Sequence, residues 1–185
     1  MKLPKAAWVC LGVLFALASL AIHYEVKIGL HRQSTGSTRV MGNITIGQSA
    51  PDFSLLDLSN QTVTLSSFRG KKVILMDFWA TWCGPCRMAM PGLQALQDKF
   101  KDRGLEILSL NQREDADHVR NFIQQKKYSF HVLLDQDGTI GGLYGVQGIP
   151  TLVLVDKQGV VQWMSVGYSD NDDELGKQVD RFTFK

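Results

Sequence analysis

VILMDFWATWCGPC, residues 73–86, is the stretch from which this 185-residue chain is best read. Its first eight residues are almost all apolar, the mark of a strand covered on both faces and therefore of a central parallel sheet. Beyond it, Met88, Leu93, Leu96 and Phe100 recur at mostly helical spacing and Gly104 supplies a stop, which predicts a helix over residues 86–101. The junction of strand and helix falls on Trp82-Cys83-Gly84-Pro85-Cys86. Two cysteines at this spacing lie within disulfide reach across one helical turn. Cys83 sits at the helix N-terminus, where unpaired N–H groups and the positive end of the dipole favour a thiolate. Pro85 suits the first turn, since its missing N–H has no intrahelical partner there. Cys86, one turn in, is expected to be shielded and to act second. A C-x-x-C pair is also half of a zinc site or an inert structural bridge. Zinc needs two further ligands, and the chain has no second C-x-x-C or H-x3-H, its four histidines being scattered at His23, His31, His118 and His131. The reading favoured is a reversible dithiol, with no metal assigned.

Downstream the periodicity changes in an orderly way. Residues 105–110 (LEILSL) read as a strand, and residues 116–127, with Val119, Phe122 and Ile123 on one face, as a second helix. A short strand over 132–134, a Gly-rich stretch over 140–148 and strands over 151–155 and 160–166 follow. Asp156-Lys157-Gln158-Gly159 between the last two is a hairpin signal. Residues 172–181 read as a short closing helix, and the acids Asp170, Asp172, Asp173 and Glu174 suit its solvated start. The alternation describes an α/β sandwich with a mixed sheet.

Composition narrows the classes further. With 44% hydrophobic and 21% charged residues the chain can close a real core, which sets aside disorder, collagen and disulfide-scaffold readings. A net charge of +2 is no nucleic-acid footprint. The charge is uneven: residues 1–46 hold five Lys/Arg against one acid, and the remainder holds 15 against 17. The basic end adjoins residues 6–22, seventeen residues without a charge after Lys2 and Lys5. As a helix that run is ~26 Å long, the short end of what crosses a ~30 Å hydrocarbon layer. An uncleaved membrane anchor, with residues 1–22 entering N-terminus inside, is the preferred reading. A signal peptide cleaved after Ala18 or Ala21 and a buried soluble helix are the alternatives. Cys10 reads as apolar filler within the run. Residues 23–46, rich in Gly, Ser and Thr, read as a tether, and the folded domain is expected over residues 47–185.

At the dithiol the sequence resembles a known family. Asp77-Phe78-Trp79-Ala80-Thr81-Trp82-Cys83-Gly84-Pro85-Cys86-Arg87 is similar to the active-site stretch of thioredoxins, and Gly148-Ile149-Pro150-Thr151 to their cis-proline loop. Gly47-Gln48-Ser49-Ala50-Pro51-Asp52-Phe53 and Leu65-Ser66-Ser67-Phe68-Arg69-Gly70-Lys71 resemble the TlpA/ResA-like and AhpC/TSA-like group, as does the insertion over residues 119–135. The resemblance spans about residues 45–170 and implies a thioredoxin fold and thiol–disulfide exchange. In that group the domain is tethered outside the cytoplasm and its substrates are often apocytochrome c or oxidised envelope proteins. It further implies a cis bond at Pro150 that sets the Ile149 backbone against the dithiol, and substrate contacts from Trp82, Gly84, Pro85, Ile149 and Pro150. Trp79 reads as core.

Two departures from the pattern matter. The group commonly places an acid three residues after its second cysteine, where this chain has Ala89. The chain does have Asp77, six residues before Cys83, where thioredoxin keeps its buried aspartate. A carboxylate there, its pKa pushed up by desolvation, can exchange a proton with Cys86. The lysine that thioredoxins place near that aspartate has no evident counterpart in residues 105–110. The expected reaction is ping-pong exchange with disulfide-bearing proteins, recycled by a membrane electron-donor thiol protein and requiring no cofactor. The Gly-Pro dipeptide shared with thioredoxin favours a reductase over a disulfide-forming oxidase. A peroxidase of the AhpC/TSA type needs Pro-x-x-x-Thr-x-x-Cys, and Met76 and Ala80 occupy those places. A non-catalytic binding or metal module is the remaining alternative.

Overall fold

The computed structural model describes residues 40–42, 44–167 and 173–183. Two compact units are distinguished, Met1–Thr38 and Arg39–Lys185, and every described residue belongs to the second. The expected membrane span over residues 6–22, most of the tether, and Asp170 and Asp172 lie outside the described residues. Among the described residues, no helix is long and apolar enough to cross a membrane.

Strands β1 (Val40–Met41) and β2 (Ile44–Thr45) form a small antiparallel hairpin. β3 (Ser54–Asp57), β4 (Thr62–Thr64), β5 (Val73–Trp79), β6 (Leu105–Gln112), β7 (His131–Asp135), β8 (Thr151–Val155) and β9 (Val161–Val166) build one sheet in the order β4-β3-β7-β6-β5-β8-β9. The helices are α1 (Gly84–Phe100), α2 (Ala116–Lys126), α3 (Thr139–Leu143) and α4 (Asp173–Thr183). All seven residues of β5 are buried, because parallel β6 on one side and antiparallel β8 on the other make it the inner strand. The buried 73–79 strand is as the apolar run predicts, and the mixed sheet is as the alternation of elements predicts.

The chain steps from β5 to β6 to β7 in one direction across the sheet, so right-handed crossovers put α1 and α2 on the same face. There Val73, Leu75 and Trp79 pack with Met90, Leu93 and Phe100 of α1, Val119 and Ile123 of α2, and Leu175 and Val179 of α4. The return from β7 to β8 passes through α3 and covers the opposite face, where Ile74, Met76 and Phe78 meet Tyr144, Val153 and Phe53. The Gly-rich stretch thus contains a helix that its composition conceals. The β3–β4 hairpin and a 3-10 turn over Leu65–Phe68 fill residues 54–68, for which the sequence reading assigned no element.

The domain's core begins earlier than Gly47. Ile44, 1% exposed, belongs to the second cluster with Ala50 and Phe53. Gly42, in the β1–β2 turn at φ +55°, approaches backbone to backbone: a Cβ built there stands 2.3 Å from the Gly145 Cα. Only glycine fits such an approach. The Gly-, Ser- and Thr-rich composition that reads as tether therefore includes, at its end, residues that pack.

Candidate active site

α1 starts where β5 ends, at the carboxyl edge of the parallel strands, the usual place for a site in α/β sheets. Cys83 is the N-cap residue, with extended backbone (φ −75°, ψ 109°), and its Sγ accepts a hydrogen bond from the Cys86 N–H at 3.1 Å. Pro85 lies in the first turn of the helix. Cys83 and Cys86 are joined as a disulfide with Cα atoms 5.3 Å apart. Both cysteines are buried, Cys83 4% exposed at the cap and Cys86 1% exposed one turn in. The N–H that meets Cys83 Sγ, together with the helix dipole, favours negative charge on that atom rather than on its partner.

Around the disulfide, Trp82 stands 70% exposed, Pro85 is exposed and Gly84 half-buried. Across from them, the Ile149–Pro150 peptide bond is cis. The Ile149 carbonyl oxygen lies 3.7 Å from Cys83 Sγ, so Ile149, half-buried, and Pro150, buried, border the same sulfur. β8 begins at Thr151, which pairs with Phe78 near the end of β5. That register is why residues 66 apart in the chain meet. Met88, read with Leu93, Leu96 and Phe100 as part of one apolar helical pattern, is instead 57% exposed in the second turn of α1 and adds apolar surface there. A Cβ at Gly84 would meet nothing within 4 Å, so space does not demand glycine there.

Asp77 lies on β5, two residues before Trp79 and on the same face, under α1. It is 2% exposed. Among the described residues its Oδ2 meets only the Ser109 hydroxyl, at 3.5 Å, and its Oδ1 has no hydrogen-bond partner. Desolvation pushes its pKa up to about 7, the Ser109 hydrogen bond offsetting a little of the rise. Ser109 is the β6 residue directly paired with Asp77, so a hydroxyl faces the aspartate on β6. Ala89 is buried against the core, so the position where relatives carry an acid contributes no charge here. Trp79, 0% exposed, is core as expected.

One group escaped the sequence reading altogether. Glu114, just beyond β6, accepts from the Thr81 N–H and from Asn111 Nδ2, each at 2.7 Å, and also from the Thr81 hydroxyl. The only signal available in the sequence was its place in the loop after a buried strand. Among the described residues no group of three or more His, Cys, Asp or Glu is arranged to hold a metal ion.

Residues 46–164 match the model of the AhpC/TSA family. The chain belongs to that family. The thiol–disulfide oxidoreductase ResA of Bacillus thuringiensis subsp. konkukian is 42% identical over 116 residues, which cover 63% of this chain and 66% of the relative. ResA of Geobacillus thermodenitrificans is 32% identical over 161 residues, 87% of this chain and 88% of the relative. A Chlorobium tepidum structure assigned as the thiol:disulfide interchange protein DsbE superposes with a TM-score of 0.69 at 35% identity, over 76% of this chain and 98% of that one. The thioredoxin domain of a thiol–disulfide oxidoreductase from Bacteroides vulgatus gives 0.67 at 28%, over 76% and 99%. Within the AhpC/TSA family this is a TlpA/ResA-like thiol–disulfide oxidoreductase with a thioredoxin fold, carrying the close Cys83–Cys86 pair.

Proposed function

We propose that this AhpC/TSA-family protein reduces protein disulfides outside the cytoplasm, held to the membrane by residues 6–22, with oxidised envelope proteins such as apocytochrome c among its substrates. The observation that carries the reading is the asymmetry of the pair. One sulfur caps a helix and is bordered by the Ile149 carbonyl; the other is shielded and shares its helix-covered face with a carboxyl that titrates near neutrality.

The reaction follows from that asymmetry. The Cys83 thiolate attacks one sulfur of the substrate disulfide; that S–S bond breaks and a substrate thiolate leaves. The mixed disulfide is held along Ile149 and Pro150, with Trp82, Pro85 and Met88 offering apolar surface beside it. Asp77 takes the Cys86 proton, and the resulting thiolate attacks Cys83 Sγ, releasing the second substrate thiolate. Two electrons pass to the substrate, and the domain is left as the Cys83–Cys86 disulfide. A membrane thiol protein then returns two electrons. The Gly-Pro pair between the cysteines, as in thioredoxin at about −270 mV, supports the reducing direction. Peroxide chemistry is disfavoured by Met76 and Ala80 at the positions where a family peroxidase carries its proline and threonine.

The test is Cys86→Ser in the full chain. It is expected to accumulate substrates as mixed disulfides on Cys83, while Cys83→Ser accumulates none. Absence of adducts with Cys86→Ser overturns the exchange mechanism. A Cys83/Cys86 potential nearer −120 mV than −200 mV makes the protein an oxidant instead.

A further inference from the structure

We propose that Glu114 is a positioning residue that holds the loop presenting Trp82 and Cys83, an inference that rests on the disulfide-exchange reading above. The loop joins β5 to α1 and is four residues long, Ala80 to Cys83. It is closed by the Cys83 N–H on the Ala80 carbonyl at 3.1 Å. Within that turn Thr81 is 6% exposed, and its N–H bonds not to backbone but to Glu114 Oε2 at 2.7 Å.

The Thr81 hydroxyl donates to the other carboxylate oxygen. That hydroxyl has a single proton, so the 2.9 Å contact between Thr81 Oγ1 and His118 Nε2 is a bond donated by the imidazole. Asn111 Nδ2 donates to Glu114 Oε2 at 2.7 Å. His118, on α2, lies 3.8 Å from Oε1. The Glu114 side chain is 9% exposed, that of His118 66%. A nearly buried carboxylate thus accepts from β6 through Asn111 and from the active-site loop through two groups of one residue, while His118 of α2 bonds to Thr81 itself. Charge-assisted bonds of this kind are directional and strong.

The geometry gives Glu114 a task that fold stability alone does not require. β6 and α2 are regular elements; the loop between β5 and α1 is not. The carboxylate ties Thr81 to β6, and Thr81 in turn meets His118 of α2, one residue before the exposed Trp82 and two before the sulfur that attacks. Glu114 touches neither the substrate groups nor the reacting sulfurs, so it acts through Thr81. Thiol–disulfide exchange needs three sulfurs in line, and misplacement of a reacting atom by about 1 Å can cost on the order of 100-fold in rate.

The test compares variants of the full chain, reduced beforehand, in the second-order reaction with insulin as the disulfide probe, at a temperature where circular dichroism shows each to be folded. Glu114→Ala is expected to slow the reaction about ten-fold. Glu114→Gln keeps an acceptor for the Thr81 N–H and is expected to recover to within about three-fold of the unaltered chain. The change in intrinsic tryptophan fluorescence on reduction should be altered in Glu114→Ala and restored in Glu114→Gln. A folded Glu114→Ala with the unaltered rate, or a Glu114→Gln as slow as Glu114→Ala, overturns the proposal. Should Glu114→Ala fail to fold, Glu114→Gln and Thr81→Val decide: Thr81→Val loses only the hydroxyl contacts and is expected to slow about three-fold, and an unchanged rate overturns the proposal. If the unaltered chain does not reduce insulin, the reductase reading falls; if it does and the variants match it, only the role of Glu114 falls.

Discussion

Asp77 and Asp135 are both closed off from solvent, at 2% and 0% exposure, on neighbouring parts of one sheet. Asp135, at the end of β7, turns both carboxylate oxygens onto backbone N–H groups at the start of α3: Oδ1 receives Ile140 at 3.1 Å and Oδ2 receives Gly141 at 2.7 Å. Asp77, inside β5, has among the described residues one long bond from Ser109 and an oxygen with no partner. The carboxyl whose partners are complete holds a helix to a strand. The one with a single long bond is pushed up to about 7, the range that the proposed proton transfer to the dithiol requires. Burial alone does not distinguish a structural aspartate from a functional one; the count of donors facing it does.

Substitution at the two positions should therefore move stability in opposite directions. Asp77 has its folded pKa raised, from 3.8 to about 7, so the native state keeps a proton that the unfolded state gives up. Stability falls as pH rises between those values and stays low above them. Asp77→Asn removes the penalty. Denaturant titration should find it more stable by up to about 4 kcal/mol at about pH 8 and scarcely changed near the ordinary carboxylate pKa. The same variant should resolve its mixed disulfide about 100-fold more slowly, read by stopped-flow release of product.

Asp135→Ala is expected to do the reverse. It leaves two buried N–H groups unpaired and should cost about 2–4 kcal/mol in the same titration, with the exchange rate of the folded protein unchanged. A loss of activity without a loss of stability at Asp135 would break the comparison. The smallest effect is expected at Ser109. Ser109→Ala removes the only bond that lowers Asp77, and the midpoint of the pH–rate profile should rise by about half a unit. A midpoint that falls would show that Ser109 does not donate to the carboxylate.

Much of this site was legible in the chain because its signals are local. The nearly apolar run over residues 73–80 reads as a doubly covered strand, and the C-x-x-C at the junction of that strand with a helical pattern puts Cys83 at a helix cap. Asp77 was legible as an acid inside that run. Pro150 and Ile149 were legible only through a resemblance, since nothing near them in the chain points to residue 83. Glu114 was not legible: it lies 33 residues from Thr81 and looks like any polar loop residue before a helix. The packing of Ile44 and Gly42 was hidden for another reason. Glycine, serine and threonine are what a tether contains, and they are also what a close backbone contact requires.

The order of residues by itself determined the secondary structure around the dithiol, the identity of the two sulfurs and the polarity of the helix that favours one of them. Those features depend on hydrogen bonds and side-chain periods within one or two turns of chain. Only the tertiary structure decided which groups meet the site across the sheet: Ser109 opposite Asp77, Ile149 against Cys83, Glu114 under Thr81. Each of these contacts is set by strand register and by the direction of a crossover, and the free energy that selects them comes from burying two faces of the sheet at once rather than from any short segment.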